Sequence, residues 1–224
     1  MTIFFIILIH NQIDFLLHIT YIIRKYRIYK VKTYKTMNKI DINNLTGKCL
    51  ISMPDASEIF SGSVIYICSH GPDGAMGFII NKRIKDFAFS DLATDLPDDI
   101  KNKNITLSLY HGGPLDSNKG FILHSDEYQI NNSLNTGGGI MVSSSLEVLK
   151  DISTGTGPQK SIITLGYSGW APNQLENEIK NNLWMVTNAT PELVLGTNDE
   201  DKWSLAMSTL GISNENLTPT FGHS

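Results

Sequence analysis

From Met37 onward, short apolar runs bounded by Gly, Pro and Asn alternate with stretches of helical spacing. The runs Cys49 to Met53, Val64 to His70, Ala75 to Asn81, Ile105 to Tyr110, Gly120 to His124, Gly139 to Ser143 and Ser161 to Tyr167 have the length and composition of strands. Leu183 to Thr187 and Leu193 to Leu195 are weaker runs of the same kind. Between the second and third runs, HGPDG at 70–74 reads as a hairpin-like turn. Helical spacing appears in three places. Ser144 and Glu147 make a capping box ahead of Leu146, Leu149 and Ile152. Pro172 suits a first helical turn, after which Leu175, Ile179 and Leu183 recur at every fourth residue. Thr197 and Glu200 make a second capping box, followed by the stripe Trp203, Ala206, Met207 and Leu210, which ends at Gly211. Strands lead in number and no regular β-α-β alternation is visible, so the predicted class is α+β.

Residues 1–36 are unlike this body: they contain no Gly, Ala or Pro and consist mostly of Ile, Phe, Tyr, Lys and Leu. Three readings stand. As a membrane anchor, Ile3 to Ile23 has about the length of a bilayer span. Yet His10, Asn11, Gln12, Asp14 and His18 lie in its middle, and an Asp at the centre of a spanning helix costs about 3 kcal/mol. As a secretory signal, the stretch lacks a basic start and a small-residue cleavage site. The favoured reading starts the natural chain at Met37, leaving 1–36 as a spurious or disordered extension and 37–224 as the domain. The basic, aromatic-interleaved run RKYRIYKVKTYK at 24–35 resembles a patch for nucleic acid or anionic lipid, and it vanishes if Met37 is the start.

That boundary changes the charge. Residues 1–36 hold six Lys or Arg and one acid, so the remainder has 12 basic against 21 acidic residues, a net −9. Such a body is a poor match to a phosphate backbone, where binding depends on Lys and Arg displacing counterions. The two cysteines, Cys49 and Cys68, both lie in apolar runs, which predicts buried reduced thiols and a cytoplasmic protein.

Candidate chemistry is sparse. LGYSGWAPNQLE at 165–176 runs a strand into a Ser and then a helix start, as a nucleophile elbow does. The elbow needs Gly-x-Ser-x-Gly, however, and here Trp170 occupies the second position that must be small. A triad in hydrolase order also needs a His downstream, and the sequence offers His223, near its end. GTGPQKS at 155–161 imitates a phosphate loop, but Gln159 replaces its last glycine and the segment leads into a strand instead of following one. Cys68, His70, His111 and His124 could in principle meet at a metal, though no pair has a recognised zinc spacing. The clusters Gly112-Gly113-Pro114 and Gly137-Gly138-Gly139 have turn and close-approach readings that need no ligand.

From about Gly47 to Ser224 the chain closely resembles the AlgH/YqgE family of uncharacterised bacterial proteins. The resemblance is carried, in order, by GKCLISMP, FSGSVIYICSHGPDGAMGFIINK, YHGGPLDSNKGFILHS, LGYSGWAPNQLENEIKNNLWMV, KWSLAMSTLGI and the terminal GHS. Ser52, Arg83 and Ser224 depart from the family's usual Ala, Pro and Ala. The resemblance implies a single α+β domain whose bifurcated mixed sheet includes a small closed barrel surrounded by helices, in a cytoplasmic protein. The family carries the labels regulator of alginate synthesis and transcriptional regulator, but nothing in this chain resembles a DNA-reading helix-turn-helix. The expected function is regulatory binding of an unknown small molecule or protein, without cofactor, metal or catalytic residues. No direct nucleic-acid binding is expected, and no membrane association if the chain starts at Met37. The alternative is an enzyme with a polar pocket near His70, Asn81 and the Gly169 to Glu176 turn. Candidate ligand-binding residues for either are His70, Asn81, Gly112, Gly113, Pro114, Gly169, Trp170, Gln174 and Glu176, where family motifs coincide with turns or hydrogen-bonding side chains.

Overall fold

The computed structural model describes residues 41–53, 57–84 and 108–212. The chain divides into two units, Met1–Ile40 and Asp41–Ser224, and every described residue belongs to the second. Residues 1–36, residues 105–107 of the fourth predicted run and His223 lie outside the described residues.

Along the chain come β1 (Lys48–Ser52), a 3-10 turn (Glu58–Phe60), β2 (Val64–Gly71), β3 (Gly74–Ile79), β4 (Leu109–His111) and β5 (Leu115–Ser125). There follow β6 (Leu134–Asn135), β7 (Ile140–Ser143), α1 (Leu146–Thr154), β8 (Ser161–Trp170) and α2 (Gln174–Lys180). The described chain then forms β9 (Trp184–Asn188), a π-helical turn (Glu192–Gly196) and α3 (Asp199–Thr209). All strands join one sheet in the order β6-β7-β5-β8-β3-β2-β1-β9, with β4 also on β8. Pairing is antiparallel except between β4 and β8, so the fold is mixed α+β as predicted.

The sheet forks at β8. One edge of β8 pairs with β5; the other pairs with β4 at Ile163–Leu165 and then with β3 at Ser168–Trp170. The β3 chain leaves β8 and continues along β4, through Ile79 N–H to Gly112 O (2.8 Å), His111 N–H to Lys82 O (2.9 Å) and Ile84 N–H to Leu109 O (2.8 Å). Three backbones therefore converge, and the residues at the convergence are Gly112, Gly113 and Gly166. A Cβ on Gly112 would lie 2.2 Å from Gly166 O, and one on Gly113 would lie 2.2 Å from Tyr167 C. These glycines serve close backbone approach.

Cross-strand partners share a face. Cys49, Tyr66 and Phe78 line one face of β1, β2 and β3, while Leu50, Ile65 and Ile79 line the other, all of them buried. Burial on both faces is why these strands read as continuous apolar runs instead of alternating ones. α3 covers the Cys49 face, since Thr187, opposite Cys49, bonds to Thr209 at 2.6 Å. α2 covers the Leu50 face through Trp184, whose indole donates to Glu178. α1 covers the β4-β5-β8 region, where Leu109, Ile122, Val148, Leu149 and Ile163 form one buried cluster.

Several expectations are corrected. The sheet is an open, curled half-barrel, with no closed barrel: its end strands β6 and β9 share no ladder among the described residues. β6 has two residues, too few to close the sheet, and side chains and loop atoms bridge the curl instead. The Tyr66 hydroxyl meets Thr136 Oγ1, which donates to Ile140 O at 2.7 Å, and Gly139 abuts Pro191. Leu193–Leu195 is part of the π-helical turn; a three-residue apolar run carries no period, and Thr190 Oγ1 accepts Leu193 N–H to start the coil. The cap of α1 is Ser145, which accepts Glu147 N–H at 3.2 Å, so Ser144 is one residue early. α2 starts at Gln174 and stops at Lys180; Leu183 lies beyond it, past Asn182 in a left-handed turn. Asn198 flanks α3, and Thr197 Oγ1 instead donates to Glu192 O. Cys49 and Cys68 are free and buried as predicted, and burial raises both thiols to about 12.

The fork makes a direct prediction. Gly112→Ala should destabilise the domain by about 3 kcal/mol or more, because backbone must move. Gly120→Ala, with open space at its Cβ position, should stay within about 0.5 kcal/mol of the parent. Urea denaturation of the two variants measures the difference, and equal midpoints would contradict it.

Candidate functional site

His70 pairs with Ala75, and Ala75 with Trp170, so three adjacent strands bring His70 and Trp170 within roughly 10 Å. From Trp170 the chain turns through Ala171–Asn173 into α2, and the first turn of α2 lays Glu176 on the imidazole. His70 Nδ1 accepts Leu45 N–H at 3.1 Å, so Nε2 carries the proton and donates to Glu176 Oε1 at 3.2 Å. The His70 side chain is 1% exposed and that of Glu176 19%. Beside them, Glu178 collects three donors: Trp170 Nε1 (2.8 Å) and Trp184 Nε1 (2.7 Å) on one oxygen, Gln174 Nε2 (2.9 Å) on the other. Gln174 Oε1 accepts Ala171 N–H at 3.0 Å, and the two indoles meet edge to face at 6.1 Å. His70, Trp170, Gln174 and Glu176 are thus brought together.

The remaining candidates lie elsewhere. Asn81 Oδ1 accepts Val64 N–H and its Nδ2 donates to Gly62 O, both at 2.8 Å, at the end of β2 opposite His70 and roughly 20 Å from it. Gly112 and Gly113 sit in the fork and Pro114 leads into β5. Gly169 is packed by Leu115, whose Cδ1 would lie 2.9 Å from a Cβ there. Ser168, the would-be nucleophile, lies inside β8 opposite Gly77, buried, with Oγ donating to Gly112 O at 3.4 Å. GTGPQKS is the connection from α1 to β8. Among the described residues, no three His, Cys, Asp or Glu groups are placed to hold a metal.

Two features escaped sequence reasoning. Glu178 is one; its spacing from Gln174 is the signal that could have suggested it. The other is Lys202 on α3, 1% exposed, whose Nζ donates to Ile80 O (2.7 Å) and Asp199 Oδ1 (3.3 Å) and lies 4.8 Å from the Tyr110 ring centroid. Tyr110 donates to the same carboxylate at 2.8 Å. Burial lowers the Lys202 amine, with Asp199 opposing, and raises the Tyr110 phenol. His124 is another buried polar group: Nδ1 donates to Ser125 O at 3.0 Å, while buried Nε2 has no hydrogen-bond partner among the described residues and the Tyr128 ring stands 5.5 Å away.

An α+β protein with a forked, curled sheet and an internally bonded cluster at the head of α2 is the class these observations define. The AlgH-like family model matches residues 49–215, and the chain belongs to that family. A UPF0301 protein of Afipia carboxidovorans is 39% identical over 188 residues, covering 80% of this chain and 90% of the relative. One from Rhodospirillum rubrum is 36% identical, covering 80% and 94%. The solution structure of the AlgH protein from Pseudomonas aeruginosa aligns with a TM-score of 0.66 and 32% identity, covering 83% of this chain and 99% of that one. A crystal structure of a Corynebacterium diphtheriae protein, at TM-score 0.60 and 23% identity, shares the fold.

Ser168→Ala should cost about 1 kcal/mol or less, the net worth of one hydrogen bond. Trp170→Ala should cost about 3 kcal/mol or more, since it empties a buried indole site. Denaturation curves test both, and stoichiometric fluorophosphonate labelling of Ser168 in the folded protein would contradict its structural role. His124 supplies a pH test. Its folded value lies below the ordinary one because burial disfavours the charged ring, so the unfolded chain binds a proton that the folded domain refuses. Stability should therefore fall as pH drops below about 6.5, and His124→Phe should flatten that part of the curve. An unchanged slope in the variant would refute the assignment.

Proposed function

We propose that this protein is a non-catalytic regulatory module of the cytoplasm that binds a small molecule or another protein and needs no cofactor. The observation carrying this reading is that the polar side chains of the candidate cluster are bonded to their own chain. Both His70 nitrogens, both ends of Gln174, both Glu178 oxygens and the Ser168 hydroxyl have internal partners. A general base must present a free nitrogen to a nucleophile or water, and here the nitrogen that would do so receives Leu45 N–H. The two free thiols support a reducing compartment. The acidic balance after residue 36 supports an influence on transcription, where there is one, through a bound partner instead of through DNA.

Native mass spectrometry of the protein purified from its own host tests the reading. A molecule or polypeptide that is retained and chemically unchanged on incubation is the expected result. Multiple turnover of an added compound, lost in His70→Ala, would replace it with the enzyme reading.

A further inference from the structure

His70 fastens three separate parts of the chain. Its backbone N–H donates to Thr46 Oγ1 at 3.0 Å and its ring Nδ1 accepts Leu45 N–H at 3.1 Å, so the arm ahead of β1 is tied to it twice. Gly47 N–H to Ile67 O, 2.9 Å, closes the arm onto β2, and Leu45 is fully buried. On its far side the ring donates to Glu176 Oε1 of α2. We infer that His70 is a proton-sensitive fastener: the neutral imidazole holds the arm, and a proton on Nδ1 releases the Leu45 amide while strengthening the bond to Glu176.

Nδ1 accepts a hydrogen bond only while its lone pair is free; once protonated it sets an N–H against the Leu45 N–H. The side chain is 1% exposed, so solvent is poorly placed to take over the lost contact. The Nε2–H bond to Glu176 survives the change and becomes charge-assisted, which retains the proton at this junction. Glu176 is the charged group facing the ring from α2. The arm contributes Leu45 and Thr46, and β3 contributes Ala75 opposite, none of which titrates.

The test is amide hydrogen exchange by NMR on the full chain at about pH 7.5 and about pH 5.5, with the His70 ring signals followed in parallel. After correction for intrinsic exchange, protection of the Leu45 amide should fall about tenfold as the ring takes its proton, matching the loss of one hydrogen bond. Amides of β2 should be unchanged. His70→Gln, whose carboxamide can accept from Leu45 and donate to Glu176, should keep the amide protected at both pH values. Glu176→Gln, which removes the charge that stabilises the imidazolium, should move the release to lower pH. The inference is overturned if Leu45 protection is constant while His70 protonates, if the ring stays neutral until the protein unfolds, or if His70→Gln loses protection with the same pH dependence.

Discussion

The structure depends on a steric constraint at one place, where the β3 chain passes from β8 to β4 and three backbones must come within van der Waals distance. Any Cβ at Gly112 or Gly113 would overlap the β8 backbone, and one at Gly166 would lie 2.6 Å from Leu115 O. Because the fork sets which strand lies beside β8 at each residue, it also decides what faces what. Ser168–Trp170 can pair with β3 only because β4 has ended at His111. That pairing puts Trp170 in line with His70 and sends the chain into α2 over the same region. The glycines are therefore upstream of the polar cluster, although they touch none of it.

The cluster shows how a set of residues with catalytic resemblance can be consumed by architecture. A histidine bonded to a carboxylate is half of a familiar catalytic arrangement, but the other half needs an imidazole nitrogen aimed at a reacting atom. Here that nitrogen holds the chain entering β1. Glu178 similarly carries charge into an aromatic environment, and its cost is offset by two indole N–H groups that would otherwise be buried without acceptors, together with the exposed Gln174 amide. Removing the carboxylate would leave several donors unpaired at once.

What could be read in the sequence follows from how each element is buried. β1, β2 and β3 are covered on both faces, so their apolar runs mark them clearly, whereas β9, with Thr187 and Asn188 in its five residues, makes a weaker run. The first half of β5, from Leu115 to Gly120, is exposed, and its polar residues gave no strand signal. β6 is too short for any pattern. The α1 cap is legible only to within one residue, because Ser143, Ser144 and Ser145 offer adjacent hydroxyls and only backbone geometry selects Ser145. His70, Trp170, Gln174 and Glu176 could be named individually from turns and polarity. Their convergence could not, because it requires the β2-β3-β8 register, and the same register is what sets Asn81 apart from them at the far end of β2.

Asn81 and Lys202 answer the same local problem. In an unbroken antiparallel ladder, a residue pair such as Val64 and Ile80 would exchange both backbone bonds. Ile80 N–H does reach Val64 O at 3.0 Å, but the chain is already bending toward β4 and the return bond is missing. Asn81 Oδ1 takes the Val64 N–H instead, and the Lys202 ammonium takes the Ile80 carbonyl. A buried lysine is costly unless it is paired, and Asp199 with the Tyr110 ring supplies the compensation. The amine is thus placed where the fork leaves a backbone acceptor inside the core, and in bonding there it pins α3 across the Cys49 face. The buried, perturbed lysine is thus an architectural group, bonded to the Ile80 carbonyl and the Asp199 carboxylate.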